Sequence, residues 1–442
     1  MLLLKRYTTL SMLALACALA SRSITASQFT LISKNNYKKT RNKSKKDTAY
    51  LINHNKISQL DRSSSEIIFE ASHFFNNRPY LSQGANGEGE QCEGDIHQHT
   101  CEHIQQDPIY RTDGFDCTTY VTQVLALLDA NNPNQYLKNL LMIKYGAANK
   151  PASTVTFYNR NNFISCDFNR INHLNGLLQD ASRKEPLKRL SRSTSTIIDR
   201  QSWFKHLPKK PTIRVFNKLI GKKMLNRLDS GHPSQVHVFP VVHQAINYIP
   251  LSYFFTINKT SKGSVIIPVS KNIDQIPTPS VIEIIRNDAL WKIHGITISK
   301  FLHTGILVSH MGILFRHRYP YRAHLFTDIK CNKSRKNAIC VAQDRRCNNR
   351  TGCSELMFTQ ATSAYPNKYF FFRDQDGKPH CQIEHPLKVI GKISSCNRVE
   401  TLPFTVYFAR IKNRKPEYLN NKSILGIHIE HISKQPLWKH FK

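Results

Sequence analysis

Acidic residues are scarce in this 442-residue chain: 30 Asp and Glu stand against 63 Lys and Arg, a formal net charge of +33. That shortfall goes well beyond what solubility requires and first suggests a polyanionic partner. Long apolar runs are also missing. Beyond residue 30 nothing approaches the ~18–20 apolar residues of a membrane-spanning helix, so the mature chain is expected to be soluble or peripherally bound, with no transmembrane segment. No repeat recurs at 20–50 residues, which excludes solenoids. The G-x-x-x-x-G-K-[ST], H-E-x-x-H and G-x-S-x-G patterns are absent, so phosphate-loop, zincin and serine-elbow chemistries have no support. Apolar residues at 40% and aromatics at 10% suffice for a sizeable core and exclude a wholly disordered basic protein.

The N-terminus reads as an export signal. Lys5 and Arg6 precede a short apolar run, and Ala18-Leu19-Ala20 supplies an A-x-A cleavage pattern, giving a signal peptide over 1–20. A lipid anchor at Cys17 is the rival. Export to the periplasm is the expected destination, with secretion or lipid anchoring as variants. An oxidising compartment lets the remaining cysteines pair. Cys92, Cys101, Cys331, Cys340, Cys347, Cys353, Cys381 and Cys396 are enough for four bridges, with Cys117 left as a thiol and Cys166 buried. Zinc is the alternative for these cysteines and their neighbouring histidines, but no tight C-x2-C spacing supports it, and no metal is expected.

The positive charge is concentrated. Residues 34–46 carry seven Lys and Arg and no acid, within a basic flexible linker expected over 21–60; 183–227 carries fourteen against Glu185 and Asp199. The latter lies in a basic insertion at 178–230, in which 191–196 reads as disordered loop. A Cys-rich insertion occupies 326–356. Both interrupt a single domain over 61–442. Apolar periodicity predicts helices over 61–75, capped by Asp61 or Ser63, and 118–130. Strands are expected over 236–242, 265–269, 281–285, 305–315, 356–359, 369–373 and 404–409. A helix group followed by a run of strands argues for an α+β fold with helices on one side of an antiparallel sheet.

Chemistry points to Asp116-Cys117-Thr118. Asp116 is a natural N-cap, and a cysteine in the first turn feels the helix dipole, which is expected to lower its pKa and supply a thiolate near neutral pH. His310, on a candidate strand, would accept the thiol proton and return it to a leaving amine, as in papain-like hydrolases.

Around these residues the sequence resembles a family. Asp116-Cys117-Thr118-Thr119-Tyr120-Val121 is similar to the nucleophile helix of the NlpC/p60 superfamily, in the N-acetylmuramoyl-L-alanine amidase-like branch. Arg160-Asn161-Asn162-Phe163-Ile164-Ser165-Cys166-Asp167-Phe168 resembles that branch's R-N-H-F-x-S-x-D-W segment, and Ser309-His310-Met311-Gly312-Ile313 its S-H-V-G-[IF] strand. Asn162 and Phe168 depart from the usual His and Trp, and Thr122 stands where a carboxylate is common. The resemblance implies a papain-like NlpC-type fold, a catalytic set of Cys117, His310 and Gln360, with His380 as the substitute for Gln360, and no metal or organic cofactor. Asp116, Arg160, Asn161, Asn162, Ser165, Asp167 and Ser309 would line the substrate groove. It further implies hydrolysis of cell-wall muropeptides at the N-acetylmuramoyl-L-alanine bond. The alternatives are a D-γ-glutamyl-diaminopimelate endopeptidase and a non-catalytic envelope-polymer binder. Peptidoglycan fragments would be the partner, and the basic blocks would hold anionic envelope polymer. No RNP-like or zinc-finger spacing accompanies the charge, which argues against nucleic acid.

Overall fold

The computed structural model describes residues 34–57, 63–81, 90–92, 104–106, 111–146, 160–206, 240–260, 263–293, 295–319, 338–341, 346–348, 352–362, 370–373, 379–382, 398–404, 407 and 423–433. The signal peptide, most of the Cys-rich insertion and the second half of the basic insertion lie outside them. Cys117 and Cys166 are free thiols.

Local sequence sets the helices. Helix α1 spans Lys34–Ile57 and α2 Ser64–Phe75. Ser63 opens α2 through a capping box with Glu66, the Ser63 N–H reaching the carboxylate at 2.7 Å. Helix α3, Cys117–Leu127, is capped by Asp116, whose Oδ1 accepts the Thr119 N–H at 2.7 Å. Helix α4, Pro133–Tyr145, starts behind the Asn132 cap with Pro at its first position and ends at Gly146, whose φ of +80° is a conformation glycine adopts without Cβ strain. A π turn over Ile164–Phe168 leads into α5, Asn169–Leu174, and α6 covers Arg200–His206.

A nine-stranded antiparallel sheet receives these helices. Its strands are β1 (Leu178–Asp180), β2 (Arg192–Ile198), β3 (Val242–Pro250), β4 (Ser280–Arg286), β5 (Val308–Tyr319), β6 (Arg346–Asn348), β7 (Gly352–Thr362), β8 (Arg398–Pro403) and β9 (Ile424–Ile432). The spatial order is β6-β7-β5-β4-β9-β3-β2, with β8 also on β7 and β1 also on β9. Alternation along β5 divides two cores. Met311, Ile313 and Phe315 face α2 and α3, packing with Phe75, Tyr120, Val121 and Val124; Leu314 faces the other side with Phe254, Phe358, Phe404 and Tyr407. Each such side chain contributes roughly 1.5–3 kcal/mol through burial. Tyr120 spans the helix–sheet interface, its hydroxyl 2.6 Å from Thr359 Oγ1. The α+β expectation therefore holds, with both helices named above on one face of an antiparallel sheet.

Four expectations are corrected. The segment read as a flexible tether forms α1: Leu51 and Ile52 are buried in the main core, Ser44 Oγ accepts the Thr112 N–H at 3.0 Å, and Asp47 accepts the Thr112 hydroxyl at 2.6 Å. Ser44, Asp47 and Leu51 follow at three- and four-residue steps and, with Ile52 beside Leu51, make one docking face under a charged exterior. Residues 191–196, read as a disordered loop, enter β2, which pairs with β3 from Arg192–Tyr248 to Ile198–Val242. The strand expected at 236–242 begins at Val242, and the one expected at 404–409 is not found at its two described residues, Phe404 and Tyr407, which follow β8 and are helical. Among the described residues no helix is long and apolar enough to cross a membrane.

Candidate active site

Helix α3 aims its first turn at the start of β5. The β5–β7 pairing runs from Tyr319–Cys353 to Ile313–Thr359. Beyond that end the Met311 backbone N–H meets the Cys117 sulfur, which also lies 4.0 Å from Thr118 Oγ1. Cys117 is only half-buried, yet desolvation pushes its thiol up to about 12, and the Asp116 charge adds to the rise. This corrects the expected thiolate: the helix start and the Met311 amide favour the anion, but burial and the adjacent carboxylate outweigh them.

His310 precedes Met311 on β5, beside a register irregularity between Val308 and His310. Its Nε2 lies 2.5 Å from Gln360 Oε1, and Gln360 Nε2 donates to Glu400 Oε1 at 2.7 Å. A carboxylate only accepts, so Glu400 fixes which end of the Gln360 amide faces the histidine. The amide oxygen in turn requires a proton on His310 Nε2, and the neutral ring carries its lone pair on Nδ1. The glycine beside this pair is set by space: a Cβ on Gly312 would meet the Phe358 ring and come within 2.7 Å of the Thr359 carbonyl.

Next to Asp116 a cleft of about 120 Å³ opens, lined by Thr118 and Thr122 of α3, Lys144 of α4, and Arg160, Asn161, Asn162 and Phe168. Asn161 ties its loop to α4 through two bonds of 2.8 Å, from its N–H to Lys144 O and from Nδ2 to Ile143 O. Arg160 Nε donates to Asn162 Oδ1 at 2.8 Å. Burial lowers Lys144 to about 8, against the pull of Asp116, and lowers Arg160 to about 9. Burial also raises the Asp116 carboxyl, opposed mainly by its bonds to Thr119.

The structure thus gathers Asp116, Arg160, Asn161 and Asn162 at one cleft beside Cys117, and joins His310 to Gln360. It does not bring the remaining candidates there. Asp167 is paired with Arg200 and accepts the Phe163 N–H at 3.2 Å; Ser309 donates to Ile284 O at 3.2 Å; Ser165 is buried in the π turn. Sequence reasoning missed Glu400 and Lys144. No local pattern marks a Glu on a strand as a relay, whereas Lys144 could have been found once the helix over 133–145 was recognised.

The arrangement defines an α+β protein with a cysteine at a helix start and a His-Gln-Glu relay on adjacent strands. The family model described as AmiA-like, N-acetylmuramoyl-L-alanine amidase-like, matches residues 89–325, more than half of the chain, and the protein belongs to that family. Cys117, Lys144, Arg160 and His310 fall inside the match; Gln360 and Glu400 lie beyond it. Among solved structures, protein LPG0564 from Legionella pneumophila str. Philadelphia 1, of family model DUF1460, is 22% identical with a TM-score of 0.54, covering 89% of this chain and 95% of that chain. An N-acetylmuramoyl-L-alanine amidase from Bacteroides uniformis is 15% identical with a TM-score of 0.40, covering 84% of this chain and 99% of that chain. No curated protein matches.

Proposed function

We propose that the protein is an exported, papain-like cysteine amidase of NlpC/p60 type that hydrolyses the N-acetylmuramoyl-L-alanine bond of cell-wall muropeptides. The observation that carries this reading is Cys117 at the start of α3, packed against Met311 one residue after a histidine that Gln360 and Glu400 orient. Cys117 Sγ attacks the lactyl carbonyl as its proton passes to His310 Nδ1, and backbone amides at the helix start hold the oxyanion. The C–N bond then breaks, and the imidazolium protonates the departing L-Ala amine. Water, deprotonated by His310, cleaves the thioester and regenerates the thiol.

Mass spectrometry of muropeptide digests tests the bond assignment. The expected products are a glycan bearing a free lactyl carboxylate and an intact stem peptide; a shortened stem would instead establish the endopeptidase alternative. Absence of any product would establish the non-catalytic binder.

The relay gives a second prediction. Glu400→Leu removes the acceptor that holds the Gln360 amide, releasing the histidine tautomer, and kcat is expected to fall about 10- to 100-fold, as for other outer-shell partners. Glu400→Gln keeps an acceptor oxygen and should stay within about threefold of the parent. Equal losses in both variants would mean that Glu400 acts through its charge and not through amide orientation.

A further inference from the structure

We infer that the cleft between α3, α4 and residues 160–162 is a carboxylate subsite, with Lys144 as its specificity-determining residue, that takes a free carboxylate of the stem peptide. The inference rests on the amidase reading for the identity of the ligand, and on the cleft itself for the chemistry.

Two cations and one carboxylate meet in a space of about 120 Å³. Lys144 is 5% exposed, an unusual position for a residue type that is almost never buried without a counterion. Asp116 supplies part of that compensation, but its Oδ1 is committed to the Thr119 N–H at 2.7 Å and the Thr119 hydroxyl at 2.9 Å. Among the residues that line the cleft, the two cations outnumber the one carboxylate, next to Asn161 and Asn162. That difference of one charge matches a monoanion such as a carboxylate. The cleft is also fixed in place: Asn161 bonds the backbone of α4 at both Ile143 and Lys144, so the loop that contributes Arg160 cannot move independently of Lys144. Thr118 and Asp116, which line the cleft, flank Cys117 on either side, so a carboxylate held there lies a few bonds from the carbonyl under attack. In a muropeptide the first carboxylates beyond the scissile bond belong to the glutamate that follows L-Ala.

Calorimetric titration of the full chain carrying Cys117→Ala separates binding from turnover. N-acetylmuramoyl-L-alanyl-D-glutamate and its diamide, in which both carboxylates are carboxamides, are the probes. The acid is expected to bind about tenfold more tightly than the diamide, and the added substitution Lys144→Met to make the two equal. Lys144→Arg should retain at least half of the discrimination on a logarithmic scale. Equal affinities in the Cys117→Ala protein, no binding of either probe, or discrimination that survives Lys144→Met would each overturn the subsite. The parent protein's hydrolysis of the same two compounds is read separately. Equal hydrolysis of acid and diamide together with equal affinities leaves the amidase reading standing and removes the subsite, whereas selective binding of the acid without hydrolysis does the reverse.

Discussion

Replacing Cys117 by alanine is expected to reduce muropeptide hydrolysis by at least about 10³-fold while the chain stays folded, because a nucleophile acts as a unit with its base and the residual rate comes from binding and oxyanion contacts alone. The fold should tolerate the change. Asp116 caps α3 through Thr119, not through the sulfur, and the cysteine is only half-buried. His310→Ala should cost about as much, and the double variant little more, since neither group performs its step without the other. The thiol pKa of about 12 adds a kinetic signature. With no standing thiolate at pH 7, proton transfer accompanies attack. Iodoacetamide should then modify Cys117 more slowly at pH 8 than an ordinary exposed thiol, with no inflection at low pH. Peptide mapping distinguishes Cys117 from Cys166 in that measurement. Hydrolysis that persists above a tenth of the parent rate in Cys117→Ala would sink the nucleophile assignment; rapid alkylation at pH 6 would restore a preformed ion pair and overturn the concerted transfer.

What could be read beforehand follows from which forces are local. Asp116 before an apolar stripe specifies the start of α3, and β-branched runs specify β4 and β5, because cap geometry and period-two burial act within a few residues. Family resemblance suggested Gln360 as the partner of His310, with His380 as its substitute, and the two side chains meet although a Cys-rich insertion separates their strands. Helix α1 was hidden by composition. Seven cations over 34–46 read as a solvated tether, yet Ser44, Asp47, Leu51 and Ile52 share a face that only docking against Thr112 and the core reveals. Helix α4 shows the opposite failure: Asn132, Pro133 and Gly146 are adequate start and stop signals that the reading passed over. Residues 192–196 are strand because β3 is available to pair with them. The sign of the Cys117 shift was wrong because the dipole is a local term and desolvation a tertiary one. Glu400 and Lys144 share that reason: what makes each informative is the surroundings that burial creates.

A further tertiary feature carries the second large effect. On the helix-facing side of β9, fully buried Glu430 accepts from His173 Nε2 and His428 Nε2, both at 2.7 Å. His428 Nδ1 faces the Asn247 carbonyl at 2.7 Å, so both ring nitrogens face acceptors and both must carry protons. The imidazolium, 2% exposed, is raised to about 9: burial lowers it, but the Glu430 charge and hydrogen bond, with smaller help from Glu283 and Asp180, outweigh that loss. Glu430 is correspondingly held below its ordinary range, while burial holds neighbouring Glu283 above its own. Glu430→Gln should therefore destabilise the fold by about 3–5 kcal/mol near pH 6, the cost of leaving a buried charge without its partner. The pH dependence has a definite sign. A histidine whose pKa is raised on folding contributes stability that is complete below about 6.5 and lost as pH rises through about 9, here about 3 kcal/mol in all. Glu283, raised to about 7, adds an earlier decline as pH rises from about 4.5 through 7, and Glu430, lowered, accounts for a separate loss on acidification. Urea denaturation at pH 6, 7.5 and 9 should show the parent losing stability across that range. Glu430→Gln, in which His428 no longer gains from folding as a cation, should show a much flatter profile. Parallel profiles for the two proteins would mean that His428 is neutral in the folded chain.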